Sequence, residues 1–245
     1  MSPAIREQAT SIILGNRTVS YPVDIQERAR YTVRPLWMSV PWLTYSKVAE
    51  WLEAHGWAEI PQCTDRQLRG CIVIHQGIPV IFLDPNDGEN EQRFTIAHEL
   101  AHFALDYEIP RRHAISIFGE SICEVLDGVR SPTSNERLSG MLTDVPLGTY
   151  LNYLERDMDG RLRDIPIQEI ELAADELALH LLSPSHAILE LVGTPSEMNC
   201  EVFTKETERV LVSRFGLPTR IASGYARTLF SKWSVPDSKF WLGLS

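Results

Sequence analysis

Between Phe94 and Leu105 the chain is apolar on almost every side. Phe94, Ile96, Ala97, Leu100, Ala101, Phe103, Ala104 and Leu105 leave hardly any polar face, a pattern that predicts a buried helix. A second strong helix is predicted from Ile167 to Leu182, with Pro184 just beyond its end. On one stripe of it Glu171 and Asp175 stand four apart among Ala174, Ala178 and Leu182. Ahead of the buried helix, Asp24 to Arg30 reads as a short helix. Ser46 to His55 reads as an amphipathic one, with Val48, Trp51 and Leu52 on one face and Gly56 as its stop. Cys71 to Ile74 and Pro79 to Leu83 are β-rich runs separated by His75 to Ile78, a hairpin signal. The polar loop Asp84 to Gly88 follows, with Asp87 or Asn90 as candidate caps of the buried helix.

Beyond Tyr107 the pattern loosens. Pro110 to His113 reads as a break, Ala114 to Leu126 as a helix and Gly128 to Asp144 as loop. Leu147 to Met158 reads as a further helix, ending in a turn over 157–160. Glu201 to Phe215 and Thr219 to Phe230 predict a helix pair around Gly216-Leu217-Pro218. In the first 45 residues Pro22, Pro35 and Pro41 interrupt any pattern. The apolar cluster Trp37, Met38, Val40, Trp42 and Leu43 is expected to pack on the main body, a partner surface being the alternative. Trp233, Phe240 and Trp241 in the tail are expected to cover a groove.

Composition narrows the class. The 245 residues are 44% hydrophobic, enough for a substantial core. A net charge of −10 argues against a protein that coats nucleic acid over its whole surface. The exception is local: from Arg209 to Lys232 the basic residues Arg209, Arg214, Arg220, Arg227 and Lys232 occur without one acid. They are candidate nucleic-acid contacts, with single- or double-stranded DNA as the partner; a solvated helical pair is the plainer reading. Cysteines at 63, 71, 123 and 200 have no C-x-x-C spacing and fit a reduced cytoplasm better than a disulfide framework. No signal peptide and no membrane-spanning run is expected.

The buried helix holds His98-Glu99-x-x-His102. Residues four apart share a helix face, so both imidazoles can reach one ion, and Glu99 lies about 100° further round. That is close enough to act on water as a base without binding the metal. A third ligand is needed. Glu171 is favoured, and Asp175 would then accept a hydrogen bond from a ligand imidazole. Glu120 and Glu124 compete, being nearer in sequence but placed in a weaker helix beside a break. Cys123 lies between the two motifs. As a thiolate it is a candidate inhibitory ligand for the open position, against the simpler role of a small buried hydrophobe.

Arg93-Phe94-Thr95-x-Ala97-His98-Glu99-Leu100-x-His102, together with Glu171-x-x-Ala174-Asp175-x-x-Ala178-x-x-Leu181-Leu182-x-Pro184, resembles the ImmA/IrrE family of metallopeptidases. The hairpin and Leu211 to Pro218 extend the similarity over about residues 46–230. The resemblance implies Zn2+ on His98, His102 and Glu171, with Glu99 as catalytic base. It also implies cleavage of a helix-turn-helix repressor in a phage, a mobile element or a DNA-damage stress response. Two features depart from the family: the stretch between His102 and Glu171 is long, and Ser183 stands where a methionine is usual.

The expected architecture is α+β and zincin-like, mostly helical with a small antiparallel sheet and a helical C-terminal extension. Its parts would be an N-terminal extension (1–45), a metallopeptidase core (46–195) with an insert at about 110–165, and a C-terminal helical region (196–245). The expected function is cytoplasmic zinc endoproteolysis. The alternatives are a DNA-binding regulatory protein with a structural zinc site and an interaction module that no longer cleaves.

Overall fold

A computed structural model describes residues 1–16, 18–57, 64–75, 77–143, 165–193 and 199–234. The helix expected over 147–158, its turn, Cys63, Phe240 and Trp241 lie outside these. The chain divides into two compact units, residues 1–17 with 25–178 and residues 18–24 with 179–245. The class is α+β.

In the first unit the sheet has the order β1-β3-β2. β2 (Gly70–His75) and β3 (Ile78–Leu83) form the expected antiparallel hairpin. The turn uses Gly77 at φ 78°, a left-handed conformation that costs glycine nothing. β1 (Leu36–Ser39) joins β3 in parallel, so the sheet is mixed where an antiparallel one was expected. The two-residue alternation of strands separates the faces. Cys71, Val73, Val80 and Phe82 pack with Leu43, Val48 and Leu52, burying the apolar stripe of α3 (Tyr45–Ala54) against one side. α4 (Glu89–His102) packs against β2 and β3.

Part of the apolar cluster at 37–43 is therefore sheet and core, with Met38 and Val40 packed against the α3 face and Leu43 fully buried. Trp42 is different: it is 66% exposed, at φ 53°. Two α-helices precede the sheet. α1 (Pro3–Leu14), unforeseen in the sequence, is capped by Ser2, whose hydroxyl accepts from the Ile5 amide. α2 (Ile25–Thr32) matches expectation, and both helices pack against α4.

Neither Asp87 nor Asn90 caps α4. The chain enters the helix one residue later than Asp87 would need, with Gly88 as cap. Asn90 instead accepts from Arg93 at 2.9 Å. Glu89 and Glu91 in the first turn supply the negative charge that the exposed amides favour.

After His102 the helix does not stop at Pro110. It widens into a π-helical turn, Phe103–Glu108, with the Ile109 amide bonded five residues back to Ala104, and continues as α5 (Ile109–Phe118). Proline has no N–H to donate, and its ring collides with the carbonyl four residues earlier in an ordinary α-helix. The wider turn relieves both problems, so the expected break is a bulge. The single helix expected over 114–126 is divided by Gly119 (φ 78°) and a short 3-10 turn before α6 (Cys123–Leu126). Ala114, Ile122, Val125 and Leu126 form a small core there. Part of the expected loop at 128–144 is helical, α7 (Ser134–Thr143). Arg130 bridges Glu124 and Glu136, and Glu136 reaches back to the Thr133 amide. α8 (Ile165–Leu182) carries the second motif.

In the second unit α9 (Ser185–Val192), α10 (Cys200–Ser213) and α11 (Thr219–Ser234) follow. Asn199 caps α10 through a bond from the Val202 amide at 2.8 Å. α10 packs on α11, with Phe203 against Phe230 and Trp233. Tyr21 meets Phe215 edge-on.

Asp84 ties the corner before α4 together. Its buried carboxylate accepts from the amides of Leu43 (3.2 Å) and Asn86 (3.0 Å) and from the Asn86 side chain. Asp84→Ala would leave those donors without an acceptor and should cost about 2–4 kcal/mol. Asp84→Asn, which retains one oxygen, should lose clearly less. Urea denaturation midpoints of the two variants provide the check.

Candidate metal centre

α4 is buried on several sides, so its polar residues are held by specific partners rather than by water. Thr95, Glu99 and His102 are all buried, and His98 is nearly so. Their spacing along the helix puts the two imidazoles together, with ring centroids 4.7 Å apart and Nε2 to Nε2 at 3.0 Å. Glu171 enters from α8, only 4% exposed, with Oε1 2.9 Å from His102 Nε2 and Oε2 3.6 Å from His98 Nε2. Donor atoms of His98, His102 and Glu171 thus lie within 4.8 Å of one another.

The opposite edge of each ring is engaged by another carboxylate. His98 Nδ1 is 2.9 Å from Asp175 Oδ1, and His102 Nδ1 is 2.8 Å from Asp106 Oδ2. A carboxylate accepts, so each Nδ1 is a donor, and in the neutral ring each Nε2 then turns a lone pair inward. Both lone pairs then face one another and the Glu171 oxygens in a buried space. Such a set repels itself unless a cation lies within it. Burial opposes charge on His98, yet bonds to Asp175 and Glu171 hold its pKa up at about 10. Burial likewise opposes charge on His102, and Asp106 and Glu171 raise its pKa. For Glu171, burial works against ionisation, but His102 and His98 hold it well below the usual carboxylate range. Two nitrogens and a carboxylate with their outer edges hydrogen-bonded suit a divalent metal.

The hairpin completes the surroundings. A Cβ placed on Gly70 would stand 2.4 Å from Thr95 Cγ2 and 3.1 Å from Glu99 Oε1. The start of β2 therefore lies directly on α4 beside Glu99. Cys71, next in the strand, has its thiol pKa pushed up by burial and by the charge of Glu99.

Residues 61–121 match the family model described as the IrrE N-terminal-like domain, Peptidase_M78. The ImmA/IrrE resemblance read from the motifs is borne out, and the domain supports a metallopeptidase-family function. No curated protein and no solved structure matches the chain.

The matched Peptidase_M78 segment supplies both histidines, and Glu171 comes from outside it. Asp175 lies where the sequence put it, against a histidine. Neither competing glutamate joins the group: Glu124 pairs with Arg130, and Glu120 lies 3.8 Å from Cys123 Sγ. Cys123, partly exposed, is likewise outside the converging set. The basic residues fall on α10, α11 and the turn between them. Arg209 pairs with Glu206, while Arg214, Arg220, Arg227 and Lys232 are exposed, and their side chains have no ion pair among the described residues. Asp106 and Gly70 escaped the sequence reading. A carboxylate four residues beyond the second histidine was a visible signal for Asp106; for Gly70 there was none.

Gly70→Ala should drive a methyl into Thr95 and displace Glu99, destabilising the protein by about 1–3 kcal/mol. Thr95→Ser deletes the methyl it meets, so adding that change should recover much of the loss. Thermal melts of the two single variants and the double variant test this coupling.

Proposed function

We propose that the chain is a zinc-dependent endopeptidase. The observation that carries this reading is the buried convergence of His98, His102 and Glu171 with Glu99 next to them but outside the donor set. His98, His102 and Glu171 would hold the ion, and Asp175 would orient His98. Zinc, when bound, supplies Lewis acidity toward a carbonyl and toward water. Glu99 takes the proton from the water that attacks the peptide carbonyl and gives it to the departing amide nitrogen. β2 is an edge strand among the described residues, and its first residue lies beside Glu99. An extended substrate adding to that edge would run past the base.

The substrate we propose is a helix-turn-helix repressor encoded nearby, cut once in a segment that can become extended, between its DNA-binding and dimerising parts. Losing the dimer weakens operator binding, because a dimer reads two half-sites. The setting is cytoplasmic, in a phage, mobile element or DNA-damage response. The basic run Arg209, Arg214, Arg220, Arg227 and Lys232 is the contact for activating DNA. A regulator with a purely structural zinc site fits less well, since such sites close with four protein ligands and only three converge among the described residues.

Glu99→Gln should keep zinc and lose about 10²–10⁴-fold in cleavage, whereas Glu171→Ala should lose zinc as well. Zinc analysis, and mass spectrometry of the repressor after incubation, separate the two. Scattered cuts, or equal cleavage of unrelated unfolded proteins, would identify a general peptidase instead.

For the DNA contact, the affinity for a labelled duplex should fall with salt at a log–log slope of about −0.9 for each phosphate engaged. Arg214→Glu, Arg220→Glu and Arg227→Glu combined should abolish both the binding and the stimulation while leaving zinc content intact. Unchanged cleavage with and without DNA would remove the activator from this scheme.

A further inference from the structure

We propose that Asp106 is a positioning residue of the metal centre. This rests on the metal-binding reading of His98, His102 and Glu171. His102 is the more deeply buried of the two histidines, at 1% side-chain exposure against 12% for His98. Its Nδ1 partner is the carboxylate of Asp106, 2.8 Å away and 21% exposed. The corresponding partner of His98, Asp175, is 43% exposed. Water can replace Asp175 more readily than Asp106, so the inner histidine depends more on its carboxylate than the outer one.

The sequence around Asp106 explains how it comes to be there. His102 ends the α-helical stretch, and the turn that follows bonds Ile109 back to Ala104. Pro110 cannot donate to the Asp106 carbonyl, and in an α-helix its ring would press on that same carbonyl. The wider turn removes the conflict, and Asp106, four residues beyond His102, lies within bonding distance of it. Bulges of this kind recur at functional sites. Here the bulge leaves the His102 Nδ1–H engaged and its Nε2 directed toward Glu171.

A carboxylate behind a ligand histidine fixes its tautomer and orientation, and losing one typically lowers metal affinity 10–100-fold. Asp106→Ala should therefore weaken zinc binding by about that factor, measured by competition with a chromogenic chelator. The metal-free protein should melt lower as well, since the buried Nδ1–H loses its acceptor, but a merely structural role would leave the zinc affinity of the folded protein unchanged. Asp106→Asn preserves the shape of the side chain and weakens the acceptor, so it should fall between the two. It also decides the matter should the alanine variant fail to fold. In the zinc-loaded wild type the His102 Nδ1 proton should appear by NMR as a slowly exchanging resonance, and Asp106→Ala should lose it. Asp175→Ala should cost less affinity than Asp106→Ala. Wild-type protein that takes up no zinc overturns the metal reading itself. Normal zinc uptake by wild type, with both Asp106 variants within about threefold of it, overturns the positioning role alone.

Discussion

Two imidazole nitrogens 3.0 Å apart, each presenting a lone pair toward a buried carboxylate, cannot rest together without positive charge among them. Much of the first unit serves to hold that arrangement. The His-x-x-x-His spacing puts both rings on one face of α4, α8 brings Glu171 to them, and carboxylates behind the rings stop them from turning away. Without these outer partners the rings could rotate and relieve the repulsion by themselves. With them, the cradle is committed to a cation.

The surrounding packing follows from the same demand. α4 must be buried to keep water from the cradle, and it is covered by the sheet and by α1 and α2. The close approach of β2 is possible only because Gly70 has no side chain, which brings a strand edge and Glu99 together. Glu99 and an edge for extended backbone are thereby neighbours, as the proposed cleavage of a peptide requires.

The sequence showed the metal helix, the hairpin, the α3 stripe and Glu171 because each rests on a local period or on an unusual polar residue in an apolar setting. Glu171 and Asp175 stood out against alanines. What it hid depended on tertiary context. β1 is short, flanked by prolines and paired in parallel with a strand far along the chain, so no hairpin or alternation announced it. α1 has a weak apolar stripe and shows itself only once packed. Pro110 looked like a stop because propensity describes the α-helix, whereas the chain had the option of widening. Gly70 is invisible in any window of sequence, since what it avoids is a methyl on another element.

The stretch between the two motifs also returns to the hairpin. Arg111 on α5 grips Asp127 with two bonds, at 2.7 and 3.0 Å, and the Asp127 carboxylate lies where a side chain on Gly77 would have to go, 3.1 Å from its Cβ position. Hairpin, α4, π-helical turn, α5 and α6 therefore form a closed mechanical circuit, the end of the path abutting the turn where it began. In a linkage of this kind no member swings alone. The hairpin tip and the helix that bears the histidines are thereby braced from both ends of the same path.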